Sequence, residues 1–233
     1  MYREAKPLSS FFVGCKFNCK YCVTSFQRQM KRQKHRCSLC YYYSPHSHLK
    51  RFKISPPRTK RGEFIFLCDF GDVSFASRIF MLTLIGYCCN YFDRTFLIQS
   101  KNPTCFRKYH FSENVILGTT IETNRNELIR EISKAPSPQK RLDAMVKLNH
   151  PMKSITIEPI LAFDLDILVS WIEQIRDSCE KLIVYVGYDS HPKINKLNEP
   201  IEQETRQLIK ELRKRGEVRE KLIREAWWVR WLE

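Results

Sequence analysis

The feature that most constrains this chain is the run Gly14-Cys15-Lys16-Phe17-Asn18-Cys19-Lys20-Tyr21-Cys22, which follows directly on the apolar segment Phe11-Phe12-Val13. Its three cysteines are spaced C-x3-C-x2-C. A strand-type apolar run ahead of a polar, glycine-led segment places the thiols on a loop leaving the end of a strand. A loop this tight points three thiolates at one centre. A four-iron cubane takes four ligands, so three cysteines leave one iron with an open position. A tetrahedral zinc takes a fourth protein ligand, which no neighbouring spacing supplies cleanly. A zinc knuckle or three unrelated thiols are the competing readings.

At 233 residues the chain is long enough for one sizeable core, and one domain is the default. Ten cysteines in a disulfide-rich secreted protein belong to a shorter chain behind a signal peptide, and Met1-Tyr2-Arg3-Glu4 begins no such segment. The expected setting is therefore the reducing cytoplasm. The longest apolar stretch, Ile79 to Phe92, is too short to cross a bilayer and contains Thr83, Gly86 and Asn90, so no membrane is expected. The net charge of +15 is uneven: Ala5 to Gly62 holds fourteen Lys and Arg and no Asp or Glu. Such a block is the footprint expected for a polyanion, nucleic acid being the commonest, against the plain alternative of a solvated surface.

After the cysteine loop, Val23 to Arg36 reads as a basic helix. Cys37-Ser38-Leu39-Cys40 follows, then Tyr41-Tyr42-Tyr43, His46 and His48. A C-x2-C pair with two histidines close behind can bind zinc, although the histidine spacing does not match the usual finger. Structural or redox-active thiols are the alternatives. The tyrosines among Lys and Arg suit base stacking or packing at the loop's foot. Ser55-Pro56-Pro57 closes this basic insert, residues 37–62.

From Glu63 onward unbroken apolar runs alternate with helical patterns. Phe64 to Leu67, Thr95 to Ile98, Val115 to Leu117, Ser154 to Ile157 and Leu182 to Val186 read as strands buried on both faces. With the strand before Cys15 they make six. Helices are expected over Phe75–Tyr91, Asn126–Leu148 (broken near Pro136 and Pro138), Leu165–Cys179 and Ile201–Arg215, with only a turn or two between the third and fourth strands. This pattern predicts an α/β barrel or a doubly wound sheet. In barrels the site is built from the strands' carboxyl ends, so Gly71, Asp72, Lys101, Thr120, Glu122, Glu158 and Asp189 should face the cysteine loop. Residues 1–216 form the expected domain. Glu217 to Glu233 reads as a Trp-rich helix, with Trp227 and Trp231 on one face, packing over the barrel.

The cysteine spacing, with an aromatic residue before the third cysteine, resembles the signature of the radical S-adenosylmethionine (radical SAM) superfamily. The resemblance runs from about Phe11 to Asp189 and implies a partial (β/α)6 TIM-like barrel. By that resemblance Cys15, Cys19 and Cys22 hold a [4Fe-4S] cluster and Tyr21 lies beside the adenine of SAM. The loose strand-two motif Asp69-Phe70-Gly71-Asp72 places Gly71 and Asp72 near the methionine amino group. Lys101, Thr120, Glu122 and Glu158 are candidates for the carboxylate, ribose and adenine. The set Cys-Asp-Phe-Gly-Asp, Lys-Asn-Pro, Leu-Gly-Thr-Thr-Ile-Glu and Ile-Glu-Pro-Ile-Leu is similar to short phage-associated radical SAM proteins, distantly similar to spore photoproduct lyase. The chemistry implied is one-electron reduction of SAM, fed by a ferredoxin- or flavodoxin-like donor, giving a 5′-deoxyadenosyl radical that takes hydrogen from a substrate. Cys68 is a candidate for returning hydrogen, with ordinary packing the alternative. The resemblance does not cover Cys37 and Cys40, where a zinc ion remains a separate possibility. A non-catalytic Fe–S or zinc protein that binds nucleic acid, or a radical SAM enzyme for a small molecule or peptide, are the rival readings.

Overall fold

In the computed structural model, which describes residues 2–229, the apolar runs become the strands of a parallel sheet. In chain order the strands are β1 (Ala5–Lys6), β2 (Phe12–Gly14), β3 (His46–Ser47), β4 (Phe64–Leu67), β5 (Phe70–Gly71) and β6 (Phe96–Gln99). They continue as β7 (Val115–Thr120), β8 (Met152–Ile157), β9 (Lys181–Val186) and β10 (Glu217–Glu220). The main sheet has seven strands in the order β1-β4-β6-β7-β8-β9-β10, with every neighbouring pair parallel. β7 is buried along its whole length, as a strand covered on both faces should be.

The sheet curls into a partial barrel, and Tyr2 shows how far. Its ring touches Phe64 and Phe66 of β4 at centroid distances of 5.5 and 5.3 Å, and Tyr185 of β9 at 4.5 Å. Four strand spacings separate β4 from β9, about 19 Å in a flat sheet. One ring reaches both only because the sheet wraps round it. The two edges also meet: Arg219 of β10 lies 3.5 Å from Glu4, just before β1.

Of the six expected strands five lie in the main sheet, where β1 and β10 join them. The strand that leads into Cys15 is not in the barrel sheet. β2 belongs to a small second sheet, order β3-β2-β5, antiparallel to β3 and parallel to β5. Gly14 stands opposite Gly71 there, and a Cβ on Gly71 would come within 2.8 Å of the Phe12 ring. The chains approach too closely for any larger residue.

The helices Arg78–Asn90, Asn126–Ile132, Pro138–Val146, Leu165–Asp177 and Glu202–Arg213 form where the patterns place them. Ser77 and Ser137 cap the first and third of these, accepting from the amides of Phe80 and Lys140. Leu165–Asp177 buries Leu168, Val169, Trp171, Ile172 and Ile175, one stripe facing the sheet. The short third-to-fourth connector is a 3-10 helix, Pro103–Lys108. The expected basic helix is broken up. Lys20–Cys22 passes into π-helical Val23–Gln27, where the Thr24 and Ser25 hydroxyls both bond the Tyr21 carbonyl, at 3.2 and 2.9 Å.

The expected C-terminal helix is overturned. Glu217–Glu220 is a strand, paired in parallel with β9. An open β9 edge offers a row of unpaired amides and carbonyls, and filling it outweighs the helical propensity of a charged segment. Beyond it the chain folds back over the loop after β9. The indole of Trp227 donates to the Leu197 carbonyl (2.6 Å) and that of Trp228 to the Glu199 carbonyl (2.9 Å), while Arg224 grips both oxygens of Glu199. Trp231 lies outside the described residues. Among the described residues, no helix is long and apolar enough to cross a membrane.

Candidate functional site

The cysteine loop and the carboxyl ends of the barrel strands enclose an open cavity of about 280 Å³. Cys15, Cys19, Cys22 and Tyr21 line it, as do Gly71, Asp72, Lys101, Thr120, Glu158 and Asp189. Of the residues expected to face the loop, only Glu122 is set behind the wall.

The loop is fixed from both sides. Gly14 has φ +95°, and a Cβ there would stand 2.3 Å from the Ser44 carbonyl carbon. Asn18 takes the left-handed region (φ +49°), which asparagine tolerates better than most residues. The Phe17 carbonyl accepts from the Lys134 amide at 2.7 Å, and the Cys19 sulfur meets the Ser133 hydroxyl at 3.0 Å. Phe17 and Tyr21 pack with Ile129, Leu161 and Leu197. Burial pushes the Cys15 thiol up to about 12, against which the Lys101 ammonium pulls. The neighbouring Cys22 thiol lowers Cys19 to about 6, again helped by Lys101, while Cys22 itself is held well above the usual thiol range. A cation already stands beside the thiols.

Glu122 is fully buried and serves as the hub of the wall. Tyr21 donates its hydroxyl to Oε1 at 2.5 Å, Arg141 donates to Oε2 at 2.7 Å, and the Lys101 ammonium pairs with Oε1. Burial alone would push this carboxyl up, but Arg141 and Lys101 outweigh it and hold it well below the usual range. Lys101 lies 5.1 Å from the Tyr21 ring centroid, so one carboxylate fixes both an aromatic face and a cation beside the cysteines.

Other expected residues are in place but already engaged. Asp72 accepts from the hydroxyls of Ser74 (2.7 Å) and Ser100 (2.6 Å) and from the Lys101 amide (2.8 Å), so it binds loops together. Asp189 accepts from Asn195 at 2.7 Å. Glu158 pairs with Lys221, from beyond β10. Thr120 accepts from Gln99 at 2.9 Å, and the Tyr2 hydroxyl bonds Gln99 and Thr156, each at 2.7 Å. These groups give the cavity a polar floor.

Cys68 does not reach the cavity. It is 1% exposed within the main core, at a positive φ of 63° that turns the chain from β4 into β5. The hydrogen-donor expectation loses its geometric basis. The neighbouring Asp69 lines the cavity instead, and its Oδ1 is buried without a hydrogen-bond partner. Burial raises its carboxyl to about 6. A folded value above that of an unfolded aspartate means that ionisation opposes folding, so stability falls as pH rises from about 4 to about 6. Asp69→Asn should therefore stabilise the ligand-free protein by about 1–2 kcal/mol at pH 7.5 and by nearly nothing at pH 4, read by chemical denaturation.

Arg141, Lys221, Tyr2 and Asp69 were not singled out by sequence reasoning. Arg141 was findable: it precedes Ala144 and Met145 by three and four residues, which places it on the buried face of its helix. Lys221 was hidden by the helical reading of its segment.

A single metal ion needs its ligands close together. Among the described residues, the set of His, Cys, Asp and Glu ligand atoms that converges within 4.8 Å is that of Cys37, Cys40, His46 and His48, not that of the loop cysteines. Three sulfurs that share a cavity wall but stand further apart suit separate corners of a cluster better than one zinc.

The fold is an α/β partial TIM-like barrel. No family model matches the chain, and neither does any curated protein. Among solved structures it is similar to Streptococcus suis SuiB bound to S-adenosylmethionine, with 8% identity, a TM-score of 0.50 and coverage of 90% of this chain and 48% of that one. SuiB bound to its precursor peptide SuiA matches with 9% identity, a TM-score of 0.50 and coverage of 92% and 47%. The chain thus spans about half the length of the structures it matches. At such identities the likeness establishes the fold alone.

Proposed function

We propose that the chain is a radical SAM enzyme, with Cys15, Cys19 and Cys22 holding a [4Fe-4S] cluster. One observation carries this reading: the three loop cysteines open together onto the cavity at the carboxyl ends of a partial barrel's strands. A cluster held there by these cysteines, together with SAM, would supply reductive cleavage of the C5′–S bond on one electron from a ferredoxin- or flavodoxin-like donor. The residues fit the pair. Asp69 Oδ1, buried and unpartnered, offers an acceptor for the methionine ammonium beside Gly71. Lys101 offsets the negative charge of the thiolates and is aimed by Glu122. Tyr21 presents an aromatic face for adenine, while Thr120 and Glu158 offer acceptors for the ribose. Asp72 acts by positioning the loops around Ser100 and Lys101.

Anaerobic reconstitution with iron and sulfide tests the reading. Addition of dithionite and SAM should give 5′-deoxyadenosine and methionine. A colourless zinc protein that does not bind SAM would instead favour a non-catalytic nucleic-acid-binding protein.

For the substrate we propose a polyanion, nucleic acid first. Lys16, Lys20, Arg28, Lys31, Arg32, Lys34 and Arg36 are all exposed around the cysteine loop. Among the described residues, the ion pair recorded in the basic block is that of Lys6 with Glu63, 2.9 Å apart. Tyr42 is 72% exposed beside them, a face on which a base can stack. If about five phosphates are neutralised, the salt slope should be about −3.5 and affinity for single-stranded DNA or RNA should fall ~130-fold between 50 and 200 mM salt. A peptide substrate is the second reading, favoured by the likeness to SuiB with its peptide bound. Salt-insensitive binding would favour that alternative.

A further inference from the structure

We infer that Cys37, Cys40, His46 and His48 form a second metal site, a closed tetrahedral zinc site that fastens the basic insert against the cysteine loop. This inference does not depend on the function proposed above. The Nε2 of His46 lies 3.5 Å from the Cys37 sulfur and 3.4 Å from the Cys40 sulfur. The Nε2 of His48 lies 3.2 Å from the Cys40 sulfur and 3.0 Å from the Nε2 of His46. Zinc bonds of ~2.3 Å to sulfur and ~2.0–2.1 Å to nitrogen, at tetrahedral angles, put unlike ligands ~3.5 Å apart and two nitrogens ~3.3 Å apart. The observed set has that shape.

The hydrogen bonds around the four ligands agree. His46 Nδ1 lies 2.7 Å from the Ser44 carbonyl oxygen, which can only accept, so Nδ1 carries the proton. Nε2 is then a bare lone pair facing two sulfurs, the state a metal ligand needs. Hydrogen bonding among the four side chains alone would not require both imidazoles and both thiols to turn their ligand atoms to one point. Two thiolates and two imidazoles with no position left open suit a structural zinc rather than a catalytic one.

The histidine spacing departs from that of helical fingers for a reason visible in the fold. His46 opens β3, and the His48 amide continues the pairing by donating to the Phe11 carbonyl at 2.8 Å. In extended chain, residues i and i+2 share a face, so a one-residue gap delivers both imidazoles together. Cys40 is 2% exposed and packs against Val13 and Met30. Between the thiols and the imidazoles lie Tyr43, on the cavity wall, and Ser44, whose backbone presses on Gly14. The ion would therefore set the wall of the cavity without touching it.

The test is metal analysis of the full chain, supplied with zinc and then exchanged into metal-free buffer, together with cobalt substitution. We expect about one zinc per chain, and with Co²⁺ the visible absorption of a tetrahedral thiolate–imidazole site. Cys40→Ser and His46→Ala should each lower retained zinc at least tenfold, whereas a chain carrying Cys15→Ala, Cys19→Ala and Cys22→Ala together should keep it. If the single variants do not fold, cobalt titration of the unaltered chain decides alone. Zinc below one-tenth per chain without a tetrahedral cobalt spectrum would overturn the assignment. So would zinc that persists in folded Cys40→Ser or disappears with the loop cysteines. Failure of SAM cleavage with zinc retained would refute the enzyme reading and leave this one standing.

Discussion

Cys19→Ala should strip the reconstituted protein of its iron and abolish SAM cleavage while leaving the barrel folded. Cys19 is the middle ligand of the proposed cluster and the most constrained: it is buried, and its sulfur meets the Ser133 hydroxyl at 3.0 Å. Two thiolates cannot hold a cubane that needs at least three, so the loss of iron should be nearly complete rather than graded. The fold should tolerate the change, because Phe17 and Tyr21 anchor the loop through their rings and Lys134 through its amide. A cost of about 0.5–3 kcal/mol is the ordinary range for removing a small buried group. Iron content, visible absorption and 5′-deoxyadenosine yield read the first part, and denaturation reads the second. Undiminished cleavage by this variant would sink the assignment of the loop.

The second large effect is expected at Glu122. Glu122→Gln removes the charge that compensates Arg141, whose side chain is likewise fully buried, and Lys101. Breaking a buried pair by removing one partner typically costs about 3–5 kcal/mol, because the remaining charge stays in a medium that solvates it poorly. The folded carboxyl lies below the ordinary glutamate value of 4.5, so its contribution is present above that pH and is lost as pH falls. The gap between the two proteins in urea denaturation should therefore be wide at pH 7 and narrow under acid. Glu122→Gln combined with Arg141→Leu should cost less than the sum of the separate changes. An equal gap at all pH values would mean that packing, not charge, is what Glu122 supplies.

The barrel was legible because its strands are continuous apolar runs. Phe64-Ile65-Phe66-Leu67 and Leu182-Ile183-Val184-Tyr185-Val186 cannot be exposed on either face, and only a doubly covered parallel sheet satisfies them. The cysteine loop and most of the cavity wall followed from strand ends. What escaped was short or set by distant contacts. β5 and β3 are two residues each, too few to show a period, and they exist because β2 lies between them. Glu217-Val218-Arg219-Glu220 is charged and reads as helix until β9 offers an edge. Asp69 lies in plain view within Asp-Phe-Gly-Asp, yet which of its two carboxylates is left unpaired depends on Ser74, Ser100 and the Lys101 amide reaching the other. Arg141 passed as one more surface cation in a basic chain.

The contact of Ser44 on Gly14 bears on how this chain can be shortened. Residues 37–62 look removable in the sequence, a stretch of cations between the cysteine loop and the regular strand pattern that begins at Phe64. In three dimensions they supply the partner that β2 leans on, and they close over the first cysteine's neighbour with no space to spare. A trimmed version would keep every barrel strand and lose the abutment that gives the cysteine loop its shape. The smallest working unit therefore has to carry the insert, however accessory it looks.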